Sequence, residues 1–376
     1  MQYTEYELGE LLPFEQPTAY IVKSTDYSDA YATPVLTAGK SFILGKTNET
    51  DGIFDQLPVI IFDDFTTATQ FVNFRFKVKS SAMKILQINT DLVIPKYIFY
   101  RLQIIQFDHS THKRYWIQSY SKIKVLIPPL DEQSRIVTRI DELFSELDKA
   151  VDTLKTTKEQ LEVYRQAVLK EIFDSVSTTS VHIKDVCLDI KVGIVIKPTQ
   201  YYVSENGVPA FRNANVRRGY INDTDWVMIS KEGHQQNCRS EVHTNDVLIS
   251  RSGANLGMAS VVPARYNGYN AIDVVIAVPD ISKVIPEFLA QYTNSPMGRA
   301  IVKKNERGAA QGHLNVSAYA NLPIGVPDLQ EQEKLVKQIS DRLSVCDSIE
   351  KTVDTALAQA DAMRQSILKQ AFEGTL

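Results

Sequence analysis

Apolar side chains recur at alternating steps of four and three over two long stretches of the chain. In the first, apolar or small residues fall at Ile136, Ile140, Leu143, Leu147, Ala150, Leu154, Thr157, Leu161, Tyr164 and Val168. This is the heptad seam of a long amphipathic helix. In the second they fall at Leu335, Ile339, Arg342, Cys346, Ile349, Val353, Ala356, Ala360, Met363 and Ile367. Arg342 breaks the seam, and Leu343 beside it can fill in. Neither run contains proline, and prolines stand just ahead of each start. Each run predicts a helix of about 43 residues, roughly 65 Å long. Neither stripe can stay in water, so the two are expected to close on each other as an antiparallel coiled coil within one chain. Pairing between two copies of the chain is the alternative.

The two stretches are copies. Residues 127–173 and 326–372 align without a gap at an offset of 199, the distance from Pro128 to Pro327. Leu130, Glu132, Gln133, Val137 and Ile140 fall on Leu329, Glu331, Gln332, Val336 and Ile339, and Arg165, Gln166, Leu169, Lys170 and Phe173 fall on Arg364, Gln365, Leu368, Lys369 and Phe372. Register kept over such a span implies a duplicated half-molecule.

The segments between the helices read as globular α+β domains. In residues 1–126, 59–62 is a short buried-strand pattern, 71–79 alternates at period two as a half-exposed strand does, and 95–102 is a helix with proline in its first turn. In residues 175–325, strands are expected at 247–250 and 271–278, and a second proline-initiated helix at 286–292. The side chains of the two domains match poorly, although the order of features is the same. The resulting layout is a domain at 1–126, a long helix at 127–174, a domain at 175–325 and a long helix at 326–376, with an internal pseudo-two-fold repeat.

Hydrophobic residues make up 44% and charged residues 23% of 376, the composition of an ordinary globular protein. No apolar run suggests a membrane span, and the acidic, polar start MQYTEYELGE does not read as a signal peptide. Cys187, Cys238 and Cys346 lie far apart, which argues against a zinc site or disulfide framework and for a reducing cytoplasm. The net charge of −4 is concentrated on the helices: residues 131–174 carry 7 basic and 11 acidic side chains. The neutral to basic domains can therefore bind nucleic acid through local patches.

Motifs for catalysis are nearly absent. GKS at 39–41 and GKT at 45–47 resemble the end of a phosphate-binding loop but lack its leading glycine. Asp63-Asp64 after an apolar strand suggests a nuclease-like metal site, against which an ordinary strand-end turn is the simpler reading. Polar clusters suited to DNA are better represented, since arginine can bridge guanine O6 and N7 and asparagine adenine N6 and N7. In the first domain the candidates are Lys40, Lys46, Thr47 and Asn48, then Thr67, Thr69 and Gln70, then His112, Lys113 and Arg114. In the second they are Arg212, Asn213, Asn215 and Arg217, then Arg251, Ser252 and Asn255, then Lys303, Lys304, Arg307, Gln311 and His313.

The entries IPPLDEQ (127–133) and VPDLQEQ (326–332), the ends RQAVLKEIF (165–173) and RQSILKQAFEGTL (364–376), and GAAQGHLNVSAYANLPIGVPDLQEQ (308–332) resemble the specificity subunit of type I restriction–modification systems. SFILGKTNE and PVIIFDDFTTATQFVNFRFKVKSSAMKIL resemble one kind of target-recognition domain in that family. The resemblance implies two target-recognition domains separated by two helical spacers, with no catalytic activity and no cofactor in this chain. It implies double-stranded DNA and two modification (methyltransferase) subunits as partners, with S-adenosylmethionine bound in the latter. ATP and Mg would belong to restriction subunits. Domains of unlike sequence on a pseudo-two-fold axis are expected to read a bipartite, asymmetric target with an unread gap. A coiled-coil scaffold that binds protein, or a metal-dependent nuclease using Asp63 and Asp64, are the alternatives.

Overall fold

The computed structural model describes residues 3–37, 41–108, 114–305 and 313–376, without side chains for 301–305. The chain divides into two compact units, Met1–Leu154 with Thr355–Leu376, and Lys155–Asp354. The boundary runs through both long helices, so each unit holds one globular domain and one half of the helical pair. Among the described residues no helix is long and apolar enough to cross a membrane.

The first domain is built on an antiparallel sheet in the order Phe14–Glu15, Met83–Leu86, Val59–Asp63, Thr69–Val72. Its central strand 59–63 is buried throughout. Ile60 and Phe62 face a core with Trp116, Tyr97 and Ile98, whereas Val59 and Ile61 face another with Phe54, Phe76 and Leu36. A strand buried on both faces reads as a continuous apolar run, which is why it was legible. The second sheet pairs Thr33–Leu36 antiparallel with Ile43–Thr47 and parallel with Lys77–Val78. The strand expected over 71–79 is therefore two strands: the chain leaves one sheet at Val72 and joins the other at Lys77. Local alternation could not reveal this change of partner.

The second domain repeats the plan. Its four-stranded antiparallel sheet runs Cys187–Val192, Val274–Pro279, Val247–Ser250, Ala259–Val261. A second sheet pairs Val208–Phe211 antiparallel with Val227–Ile229 and parallel with Asn270–Ala271. The strand expected over 271–278 is also split, at Asp273, whose φ of 52° lies in the left-handed region. Both proline-initiated helices form, Pro95–Leu102 and Pro286–Asn294.

Antiparallel ribbons close each domain: Thr4–Glu7 pairs with Lys124–Ile127, and Ser180–His182 with Pro323–Gly325. The chain then enters the long helices Leu130–Asp174 and Leu329–Glu373. The helices pair antiparallel within the chain. In the first unit Ile140 and Phe144 pack with Leu368 and Ala371. In the second, Val168, Leu169 and Ile172 share a core with Leu335 and Ile339. Arg342 lies in the seam but pairs with Glu171 (3.0 Å), and Leu343 packs in its stead. The apolar stripe read from sequence is wider than the contact. Tyr164, Ile349 and Met363 remain 44%, 40% and 55% exposed, because one partner helix covers one line of a stripe and leaves its flank in water.

Candidate nucleic-acid interface

In the second domain three strand ends converge. Asn213 follows the strand Val208–Phe211, Arg251 and Ser252 follow Val247–Ser250, and Asp273 separates Asn270–Ala271 from Val274–Pro279. Gly193 allows this crossing: a Cβ there would lie 2.4 Å from the Ala271 carbonyl oxygen. Beside it, Ile194 and Asp273 lock the backbone through Ile194 N–H to Ala271 O (2.8 Å) and Asp273 N–H to Ile194 O (3.1 Å).

The Asn213 carboxamide organises the cluster. Its oxygen accepts from Arg251 N (2.6 Å) and Ser250 Oγ (3.0 Å), and its nitrogen donates to Ser252 Oγ (2.9 Å) and Asp273 Oδ2 (3.4 Å). Asn255 Nδ2 donates to Asn213 O (3.1 Å). Arg251 donates through Nε to Leu314 O (2.9 Å) and through Nη1 to Asp273 Oδ1 (2.7 Å). His313 Nδ1 stands 4.0 Å from Asp273 Oδ2. Five of the sequence candidates, Asn213, Arg251, Ser252, Asn255 and His313, thus meet at one place.

Other candidates are placed differently. Asn215 is fully buried; its oxygen accepts from Arg212 N (2.9 Å) and its nitrogen donates to Asn222 O (3.1 Å) and Thr224 O (2.9 Å). It holds the loop, and reaching a base would break three buried hydrogen bonds. Arg212 donates through Nη2 to Asp225 O, and Arg217 to Val216 O (3.2 Å). Lys303 and Lys304 lie on the helix Pro296–Asn305. Lys40, His112, Lys113, Arg307 and Gln311 lie outside the described residues.

In the first domain Thr67, Thr69 and Gln70 share one hairpin, and Thr69 Oγ1 accepts from Gln103 (2.6 Å). Lys46 and Asn48 belong to the other sheet's edge and its exit. Thr47 is, like Asn215, buried, and its hydroxyl accepts from Glu49 N (3.2 Å). Arg114 is exposed.

Asp63 and Asp64 are engaged within the fold. Asp63 Oδ1 accepts from Phe65 N (2.8 Å), while Asp64 accepts from Trp116 N (2.9 Å) and pairs with the buried Lys84 (3.4 Å). Among the described residues no group of three metal-ligating side chains exists. Asp64 and Arg251 occupy the same place in the two domains. Each follows the central strand of its four-stranded sheet, and each carbonyl accepts at 2.9 Å from the amide of Tyr115 or Leu314, residues separated by the offset of the helical repeat. One domain thus carries an acid paired with lysine where the other carries an arginine paired with an acid. Sequence reasoning missed Asp273 because a lone aspartate between two strand runs gives no local signal; only the crossing brings it to Arg251.

A model of the type I restriction modification DNA specificity domain matches residues 2–163 and again 169–359. The EcoR124I/EcoR124II specificity subunit of Escherichia coli is 45% identical over 174 residues, 43% of this chain and 43% of the relative. The EcoBI specificity subunit of Escherichia coli is 28% identical over 274 residues, 66% of this chain and 58% of the relative. These matches span about half the length of the curated relatives. A chain solved in work on complex assembly and conformational transition of the type I R-M system superposes with a TM-score of 0.67 at 18% identity, covering 100% of this chain and 98% of the other. That likeness concerns the fold. With a duplicated domain, a matched helical pair and a family model met twice over nearly the whole sequence, the chain belongs to the type I restriction–modification DNA specificity family.

Proposed function

We propose that the chain is the DNA-recognition subunit of a type I restriction–modification complex. Each globular domain reads one half of a bipartite duplex target, and the long helices set the unread gap between the halves. The observation that carries this reading is one sheet order used twice on a duplicated helical pair, with unlike side chains in the two domains. A shared frame with unlike donors and acceptors suits an asymmetric target. Val163, Val345 and Ile349 are apolar and exposed on the helices, which supports docking of partner subunits there. Two modification subunits would bring S-adenosylmethionine and the methyl-transfer chemistry, and restriction subunits ATP and Mg. A nuclease role for Asp63 and Asp64 is disfavoured by their engagement with Phe65, Trp116 and Lys84.

The test is methylome sequencing of cells expressing the chain with its modification partner. The expected result is one bipartite motif with unlike halves. Adding seven residues to both long helices, about 10 Å of helix, should lengthen the gap by roughly three base pairs at ~3.4 Å each. A single continuous motif, or a gap indifferent to helix length, would overturn the proposal.

A further inference from the structure

We infer that Asp273 is a specificity-positioning residue for the second half-site, acting through Arg251. The inference rests on the DNA-recognition reading above and adds a residue to it. A carboxylate at a DNA-facing cluster is repelled by phosphate, so its presence calls for a specific role. Direct readout of a base amino group is one possibility, but both Asp273 oxygens are engaged by protein. Oδ1 accepts from Arg251 Nη1 at 2.7 Å, and Oδ2 lies 3.4 Å from Asn213 Nδ2 and from Ser252 Oγ. The backbone reaches this arrangement at φ 52°, a conformation non-glycine residues seldom adopt, though aspartate and asparagine tolerate it best.

The consequence falls on Arg251. Its Nε is tied to Leu314 O and its Nη1 to Asp273, and its side chain is 22% exposed. Among the described residues Nη2 has no protein acceptor, which leaves the N–H groups of that nitrogen for an outside acceptor. An arginine N–H donates to the O6 or N7 of guanine. A guanidinium held at Nε and Nη1 loses less freedom on binding than a free one. Asp273 therefore supplies orientation, and Arg251 makes the contact.

The experiment uses the full chain with its modification partner and a randomised duplex library to define the target, followed by competition with single-base variants. The variants are Asp273→Asn and Asp273→Gly, both compatible with left-handed backbone, so that one serves if the other fails to fold. Discrimination at one base pair of the second half-site should fall about tenfold or more. Discrimination in the first half-site and the slope of binding against salt should not change, and non-specific binding should not weaken. In an Arg251→Ala background the Asp273 substitution should add no further loss. Retained discrimination, additive losses, or equal loss at both half-sites would overturn the inference. A wild-type complex without sequence preference would overturn the recognition reading itself.

Discussion

Gln133 and Gln332, one repeat apart, are both fully buried and make the same set of hydrogen bonds. The Gln133 oxygen accepts from Ile94 N (2.8 Å), and its nitrogen donates to Leu92 O (3.0 Å) and Pro128 O (2.9 Å). The Gln332 oxygen accepts from Ile285 N (2.8 Å), and its nitrogen donates to Lys283 O (2.9 Å) and Pro327 O (2.8 Å). Each glutamine ties the first turn of a long helix to the residue ahead of a proline-initiated helix. The EQ pair of the repeated entry motif is thereby explained: its glutamine is the joint between spacer and domain.

Replacing Gln332 by Ala leaves a buried N–H and two carbonyls without this partner. The expected cost is roughly 2–4 kcal/mol, with loss of hydrogen-exchange protection at Ile285 and not at Ile94. Gln133→Ala should show the reverse. Protection lost at both amides, or at neither, would refute separate joints.

Ion pairs join the long helices, and residue numbers rise on one helix as they fall on the other: Asp148–Arg364, Lys158–Asp354, Arg165–Asp347 and Glu171–Arg342, of which the first and third are one pair repeated. Arg165 is 13% exposed, donating to Asp347 (2.6 Å) and Glu350 (2.8 Å), whereas those acids are 69% and 38% exposed. Burial disfavours its charge, yet the two carboxylates more than offset this and raise its pKa. Removing the arginine leaves acids that water can solvate, at about 1 kcal/mol. Removing both acids leaves a buried cation, at roughly 3 kcal/mol. Chemical denaturation of Arg165→Ala and of the Asp347→Ala, Glu350→Ala double variant should show that asymmetry, and equal costs would contradict it.

Acid should loosen the first domain through Glu49. Its Oε1 accepts from Ser24 N (2.9 Å) and Lys23 N (2.8 Å), and its Oε2 lies 3.1 Å from the buried Lys77 ammonium. The Ser24 amide first, with help from Lys77, holds the carboxyl below the usual glutamate range. A folded pKa below the unfolded value, near 4.3, stabilises above that value, and the gain disappears as pH falls through the folded pKa. Glu49→Gln should be less stable than wild type at neutral pH, with the gap closing as pH falls below the ordinary glutamate range. Urea melts across that range give the answer; a constant gap would count against it.

The three thiols should differ in reactivity. Cys238 is exposed, Cys346 is buried, and burial pushes the Cys187 thiol up to about 12. Thiolate, not thiol, reacts. Native protein should therefore titrate one fast thiol with a disulfide reagent, and denatured protein three. Fast labelling of Cys187 in the native state would contradict this order.

The sequence by itself determined the duplication, the two long helices and their proline-marked entries, the helices at 95 and 286, and the buried strands at 59 and 247. These features are periodic or local, and periodicity survives in one dimension. Only the tertiary structure decided that the two domains share one sheet order despite unlike side chains, since strand pairing is set by partners distant in sequence. It also decided which polar residues are engaged. Asn215 and Thr47 read as candidates from composition but are buried hydrogen-bond partners of their own loops, while Asp273, silent in the sequence, reaches Arg251 because Gly193 and Ala271 let the strands cross. A polar side chain's role depends on what lies within about 3 Å of it, and that is a property of the folded chain.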